Sequence, residues 1–178
     1  MAFNIPSQLV LLSSQTASSS ASISFTSVIT SDFTSYYLTI RNLVAATNGS
    51  TIQMLASTNN GSSYLSSNYK WVYHADTSNA TQVTDNNNSS SYIQLSDAIS
   101  STTSQAYNCN INLFNLNTSY VFNFYGISIN QNNSNSYVYN GSLAGGNKGT
   151  TAINALQIAM SSGNIASGVL SLYGVPNP

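Results

Sequence analysis

AINALQIAMSSGNIASGVLSLYGV, residues 152–175, decides the fold. Leu156, Ile158 and Met160 alternate with Gln157, Ala159 and Ser161, the two-residue period of a strand with one face in a core and the other in a polar setting. Ser161-Ser162-Gly163-Asn164 then supplies residues that tolerate positive φ and bond their own backbone, so the chain reverses there and a hairpin is expected. On the return, Gly168, Leu170 and Leu172 share one face and Val169, Ser171, Tyr173 and Val175 the other. Gly168 removes a side chain where something packs close.

Upstream, the same period recurs. Residues 22–26 set Ile23 and Phe25 against Ser22, Ser24 and Thr26; residues 36–44 set Tyr37, Thr39 and Arg41 against Leu38, Ile40 and Asn42. Asn48-Gly49, the dipeptide favoured in tight hairpins, closes that strand. Ile52, Met54 and Ala56 follow on one face, then a turn at Asn59-Asn60-Gly61. Residues 68–76 carry Tyr69, Trp71 and Tyr73 on one side and Lys70, Val72 and His74 on the other. The short apolar run Leu9 to Leu12 reads as a strand buried on both sides, and Ser18-Ser19-Ser20 as a turn. The polar runs 85–91 and 130–135 read as loops. Further strands are expected at 92–95, at 107–114 (where Cys109, Ile111 and Leu113 align), at 120–129 and at 136–143, with a Gly-rich connection at 145–149. Residues 1–7 read either as an ordered N-terminal arm or as a loose end, with Pro6 set against helix.

That makes about ten short strands with no helical segment beyond a turn at 95–99. Parallel sheets need crossover helices of about a dozen residues, and the chain has no room for them. The expectation is one all-β domain over residues 1–178, an antiparallel β-sandwich of jelly-roll-like order.

Composition narrows the function. The chain has 178 residues, 42% of them hydrophobic, which argues against disorder despite the abundance of Ser, Asn and Thr. Only 4% are charged, three basic and four acidic, and every acid is Asp; about a quarter is usual. Arg41, Lys70 and Lys148 cannot build a phosphate-neutralising footprint, so nucleic acid is excluded as a partner. No apolar run spans a membrane, no polybasic anchor exists, and the N-terminus lacks the cationic start and apolar stretch of a secretory signal. The single cysteine, Cys109, forms no internal disulfide. Synthesis in a cytoplasm without crosslinks is the expectation.

The SSGNIASG turn followed by VLSLYGV resembles the C-terminal hairpin of phage virion β-sandwich proteins, which serve as head decorations, appendages and tail-fibre tips. Residues 57–64, STNNGSSY, resemble that group's Ser-Thr-(Asp/Asn)-Gly-Gly turn, with the aromatic strand 69–73 after it. Asn60 stands where the group has Asp or Gly, and the chain is poorer in charge than the group's usual members. The resemblance implies a structural role on the exterior of a virion, as a capsid decoration or a head or tail appendage. Its partners would be copies of itself, a trimer favoured, and other virion subunits. The alternative is a tail-fibre module recognising cell-surface glycan. No catalytic residue and no cofactor come with the resemblance.

Candidate chemistry is sparse. His74 and Asp76 stand two apart on a strand and can share a face, but a triad needs a serine pinned beside the histidine, and no Gly-x-Ser-x-Gly elbow is present. Paired carboxylates must come from Asp32, Asp76, Asp85 and Asp97 alone. One His and one Cys cannot close a transition-metal site, and Asp85-Asn86-Asn87-Asn88 lacks the calcium-loop spacing. Tyr69, Trp71 and Tyr73 are the candidate face, as core, as subunit interface, or as a platform on which sugar rings stack. Asn-x-Ser triplets at 48–50 and 140–142 arise by chance in a chain this rich in both residues.

Overall fold

The computed structural model describes residues 9–131 and 137–176. Twelve strands run in chain order: β1 (Val10–Ser20), β2 (Ser22–Thr26), β3 (Phe33–Ala45), β4 (Ile52–Ser57), β5 (Tyr69–Thr77), β6 (Gln82–Ser90), β7 (Ile93–Gln94), β8 (Tyr107–Phe114), β9 (Phe122–Gln131), β10 (Val138–Asn147), β11 (Ala155–Met160) and β12 (Ile165–Pro176). One 3-10 turn, Thr103–Gln105, is the only helical element among the described residues. Every strand pair is antiparallel.

The strands form two packed sheets, β1-β12-β3-β8-β9-β10-β5-β6 and β2-β11-β4-β7. Four strands of the large sheet, β1-β12-β3-β8, pair off with the small sheet as a jelly roll: consecutive strands alternate between the layers. The remaining four belong to two insertions. The β5–β6 hairpin and the β9–β10 hairpin widen the large sheet into an extension beyond the eight-stranded body. One continuous apolar cluster lies between the layers, with Phe25, Leu38, Ile40, Met54, Tyr107 and Leu156 wholly buried.

The stretch that opened the sequence argument folds as strand, turn, strand, but its two strands do not pair with each other. β11 lies between β2 and β4, and β12 between β1 and β3. Residues 161–164 therefore form a corner from one sheet to the other, not the turn of a hairpin. Gly163 supplies the positive φ of 69° that the corner needs. The chain makes the same crossing between β1 and β2 and between β3 and β4, and the three corners are tied together. Asn164 Nδ2 donates to the Ser19 carbonyl at 2.8 Å, the Ala46 amide to the Asn164 carbonyl at 2.9 Å, and the Ser161 amide to the Thr51 carbonyl at 2.9 Å. Asn48-Gly49 is for the same reason a sheet-to-sheet corner and closes no hairpin. Gly168 is where the sequence placed a close approach, since a Cβ there would lie 2.9 Å from Leu43 Cα.

Four further expectations are corrected. Residues 85–90 are not loop but most of β6, an edge strand whose asparagines hydrogen-bond through the backbone to β5 while their side chains meet solvent. Leu9, Val10 and Leu11 are exposed because β1 is the opposite edge of the large sheet. Ser18-Ser19-Ser20 ends β1, with the crossing just after it. Asn42 leaves the inner face at a bulge, its φ of 52° letting Leu43 take the buried position. The proposed arm at 1–7 lies outside the described residues, as do 132–135 of the expected loop; Asn130 and Gln131 end β9.

The turn at 57–64 accounts for its unexpected Asn60. The residue adopts φ 56°, which asparagine tolerates. Its Oδ1 accepts from the Ser27 amide at 2.6 Å and its Nδ2 donates to Ser27 Oγ at 2.8 Å. Asp would lose the donor and Gly both bonds.

Candidate functional site

Tyr69, Trp71 and Tyr73 project into the interior and are 0%, 6% and 0% exposed. They are core, and no sugar ring can stack on them. Burial pushes the Tyr69 and Tyr73 hydroxyls up to about 12, and Tyr69 Oη accepts from the Ala56 amide at 2.8 Å. Cys109 is buried on β8, its thiol also pushed up to about 12 by burial; a thiol that holds its proton is a poor nucleophile.

His74 and Asp76 do share the outer face of β5, Nε2 to Oδ1 at 3.6 Å, with the His74 Nδ1 3.0 Å from Thr84 Oγ1. Both side chains are well exposed, and an ion pair in solvent contributes little. The four aspartates are dispersed. Asp32 accepts from Thr30 Oγ1, Asp85 accepts from Gln94 Nε2 and the Asn86 amide, and no group of three or more His, Cys or Asp residues gathers among the described residues. Asp85 is thus engaged by donors on a strand and is not poised for a cation. Among the described residues no helix is long and apolar enough to cross a membrane.

The unusual surface lies instead on the outer face of the large sheet, where β9 departs from the rule its neighbours obey. β8 points Tyr107, Cys109, Ile111 and Leu113 inward and Asn108, Asn110 and Asn112 outward. Over its second half β9 does the reverse. Gly126, Ser128 and Asn130 face the interior, while Tyr125, Ile127 and Ile129 face out, 55%, 61% and 53% exposed. Ser128 Oγ and Asn130 Oδ1 are buried with no hydrogen-bond partner among the described residues, an arrangement that carries a desolvation cost.

A second row crosses this one at Tyr125. Leu11, Tyr173, Tyr37, Asn112, Tyr125, Ala144 and Val72 are successive partners across seven strands, from β1 to β5. Tyr37 and Tyr173 rings lie 6.4 Å apart, and Phe114 stacks on Tyr125 at 5.8 Å. Around the crossing stand amides. Arg41 is the nearby cation, and it is tethered: Nη1 donates to the Cys109 carbonyl at 2.9 Å and Nη2 to Asn110 Oδ1 at 2.6 Å. The arrangement sets aromatic and branched side chains among amides, with the tethered Arg41 as the charge beside them.

Beside this face, between β5, β6, β9 and β10, runs a groove of about 570 Å3 lined in part by Lys70, Lys148, Asn87, Asn123, Val72 and Val121. Sequence reasoning missed both features. The alternation of Tyr125, Ile127 and Ile129 is visible in the chain, but the small and polar residues between them are the only sign that it points outward. Lys70 and Lys148 are far apart in sequence and meet through the β5–β10 pairing, in which Lys70 stands opposite Gly146.

Compared with protein-family models, with curated proteins and with solved structures, the chain matches none.

Proposed function

We propose that this protein is a structural subunit of a bacteriophage particle, a capsid decoration or head or tail appendage that works by protein–protein contact. The observation that carries the contact role is the inverted strand β9, which holds Tyr125, Ile127 and Ile129 in solvent on a regular, well-paired sheet. Contiguous exposed apolar side chains rimmed by polar residues are a feature of interaction surfaces. Its occupant is another copy of the same chain. With a net charge of −1 and mostly amides around the anchors, three copies of the face meet about a three-fold axis with little like-charge repulsion. The phage assignment is supported by the sequence resemblance at residues 57–64 and 161–175, and the jelly-roll body is a fold suited to that role.

Sedimentation velocity tests the contact: a trimer at micromolar concentration, dissociated by Ile127→Asn, is expected, and a monomer at every concentration overturns it. Quantified abundance in purified particles tests the assignment. A decoration is present in high copy number, a fibre tip in a handful.

A second function is recognition of cell-surface glycan by a fibre-tip module. The buried aromatic stripe lends it no support, but the lysine-lined groove on the extension does.

A further inference from the structure

Two of the three cationic side chains in the molecule, Lys70 and Lys148, line one groove. None of the four aspartates lines it, and among the described residues neither lysine has a carboxylate within ion-pair distance. Lys70 Nζ donates to Asn88 Oδ1 at 2.6 Å, which fixes the ammonium on the groove wall and leaves it further donors. On a chain of net charge −1, this one concavity holds two uncompensated positive charges.

The rest of the lining restricts what those charges recognise. Val72 and Val121 supply apolar surface, and Asn87 and Asn123 supply amides that both donate and accept. A volume of about 570 Å3 falls within the range of about 300–1,000 Å3 usual for small-ligand sites. The groove has no arginine fork and no helix N-terminus, the devices that give phosphate sites bidentate and backbone-amide recognition. We infer that the groove binds a carboxylated saccharide, the lysines meeting the carboxylate, the asparagines the hydroxyls, and the valines the C–H face of the ring. This rests on the glycan-recognition function and is independent of the assembly role.

The test is calorimetric titration of the full chain with oligosaccharides of galacturonate, glucuronate and N-acetylneuraminate, with maltotriose and inorganic sulfate as comparators. At least one acidic sugar binds, and Lys70→Gln and Lys148→Gln each weaken it about tenfold, the size of one charge-assisted hydrogen bond. Asp32→Asn, outside the groove and away from β9, leaves it unchanged. Unaltered thermal unfolding of the lysine variants shows that the loss is not misfolding. Equal affinity for maltotriose, indifferent to both lysines, overturns the acidic ligand and leaves glycan recognition standing. No binding of any sugar overturns both. Sulfate bound as tightly, with the same lysine dependence, overturns the sugar by showing a bare anion site.

Discussion

β8 and β9 are neighbours in one sheet, paired residue for residue from Asn108 opposite Ile129 to Phe114 opposite Asn123, yet they divide their apolar residues oppositely. β8 is the last strand of the jelly-roll body, and its Ile111 and Leu113 are wholly buried. β9 opens the extension and turns Ile127 and Ile129 to solvent. A one-residue slip of β9 would bury both and expose Ser128 and Asn130. The interior leaves no room for it. A Cβ at Gly126 would lie 2.5 Å from the Asn110 carbonyl oxygen, and one at Gly141 on the next strand 2.8 Å from the Tyr73 ring. Alternation therefore separates two faces, while the space already filled by Ile111 and Tyr73 decides which of them faces inward.

The most direct way to break this contrast is to truncate the same residue type on each strand. Ile111→Ala leaves a cavity in a closed core and costs about 2–5 kcal/mol. Ile127→Ala in the dissociated monomer changes stability by no more than about 0.5 kcal/mol. Urea unfolding at low protein concentration checks both, and equal costs would mean that Ile127 is packed.

Next in size is the effect on assembly. Tyr125 stands where the two exposed rows cross, so Tyr125→Ala should weaken self-association by about 2 kcal/mol, the usual threshold of an interface hot spot. Sedimentation equilibrium of the variant beside Ile111→Ala separates the roles: the outward change moves the dissociation constant and spares unfolding, the inward change does the opposite.

Titration sharpens the inward side. The buried Tyr69 and Tyr73 hydroxyls and the Cys109 thiol hold their protons to about pH 12, and Tyr107 is raised by burial as well. An unfolded cysteine releases its proton near pH 8.5 and an unfolded tyrosine near 10. Between those values and about pH 12 the folded state binds more protons than the unfolded one, so stability falls as pH rises. Each group contributes about 1.4 kcal/mol per pH unit within its window. Stability independent of these groups is expected below about pH 8, and Cys109→Ala should flatten the onset near pH 9, read by chemical denaturation at stepped pH.

How much of this was legible varies with the distance over which residues act. Ile23, Phe25, Leu38, Ile40, Leu156 and Ile158 were placed by period alone, and all are buried. The absence of helix-length segments led to antiparallel layers, and two such layers form. The corner at 161–164 reads as a hairpin in the sequence because turn chemistry reports that the chain reverses, not which strand receives it. The run at 85–91 reads as loop because its side chains are polar, whereas an edge strand is held by backbone bonds that asparagine supplies as well as valine. The Tyr69-Trp71-Tyr73 stripe was visible, but its side was not. The paired lysines depend on a strand register that no local pattern encodes.

The smallest expected effect separates the two surfaces of the extension. Apolar anchors ringed by amides offer salt little to screen, so self-association through Tyr125 and Ile127 should vary less than about threefold between low and high sodium chloride. The groove is a few residues away on the same strands, yet its lysines act through charge, and its affinity for an acidic sugar should fall steadily over the same range. Measured on one preparation, the two salt responses must diverge. A steep response of the oligomer would mean that Arg41, or the His74 and Asp76 pair, lies inside the contact and is desolvated there, and the interface would then be centred on the polar end of the sheet's outer face and not on β9.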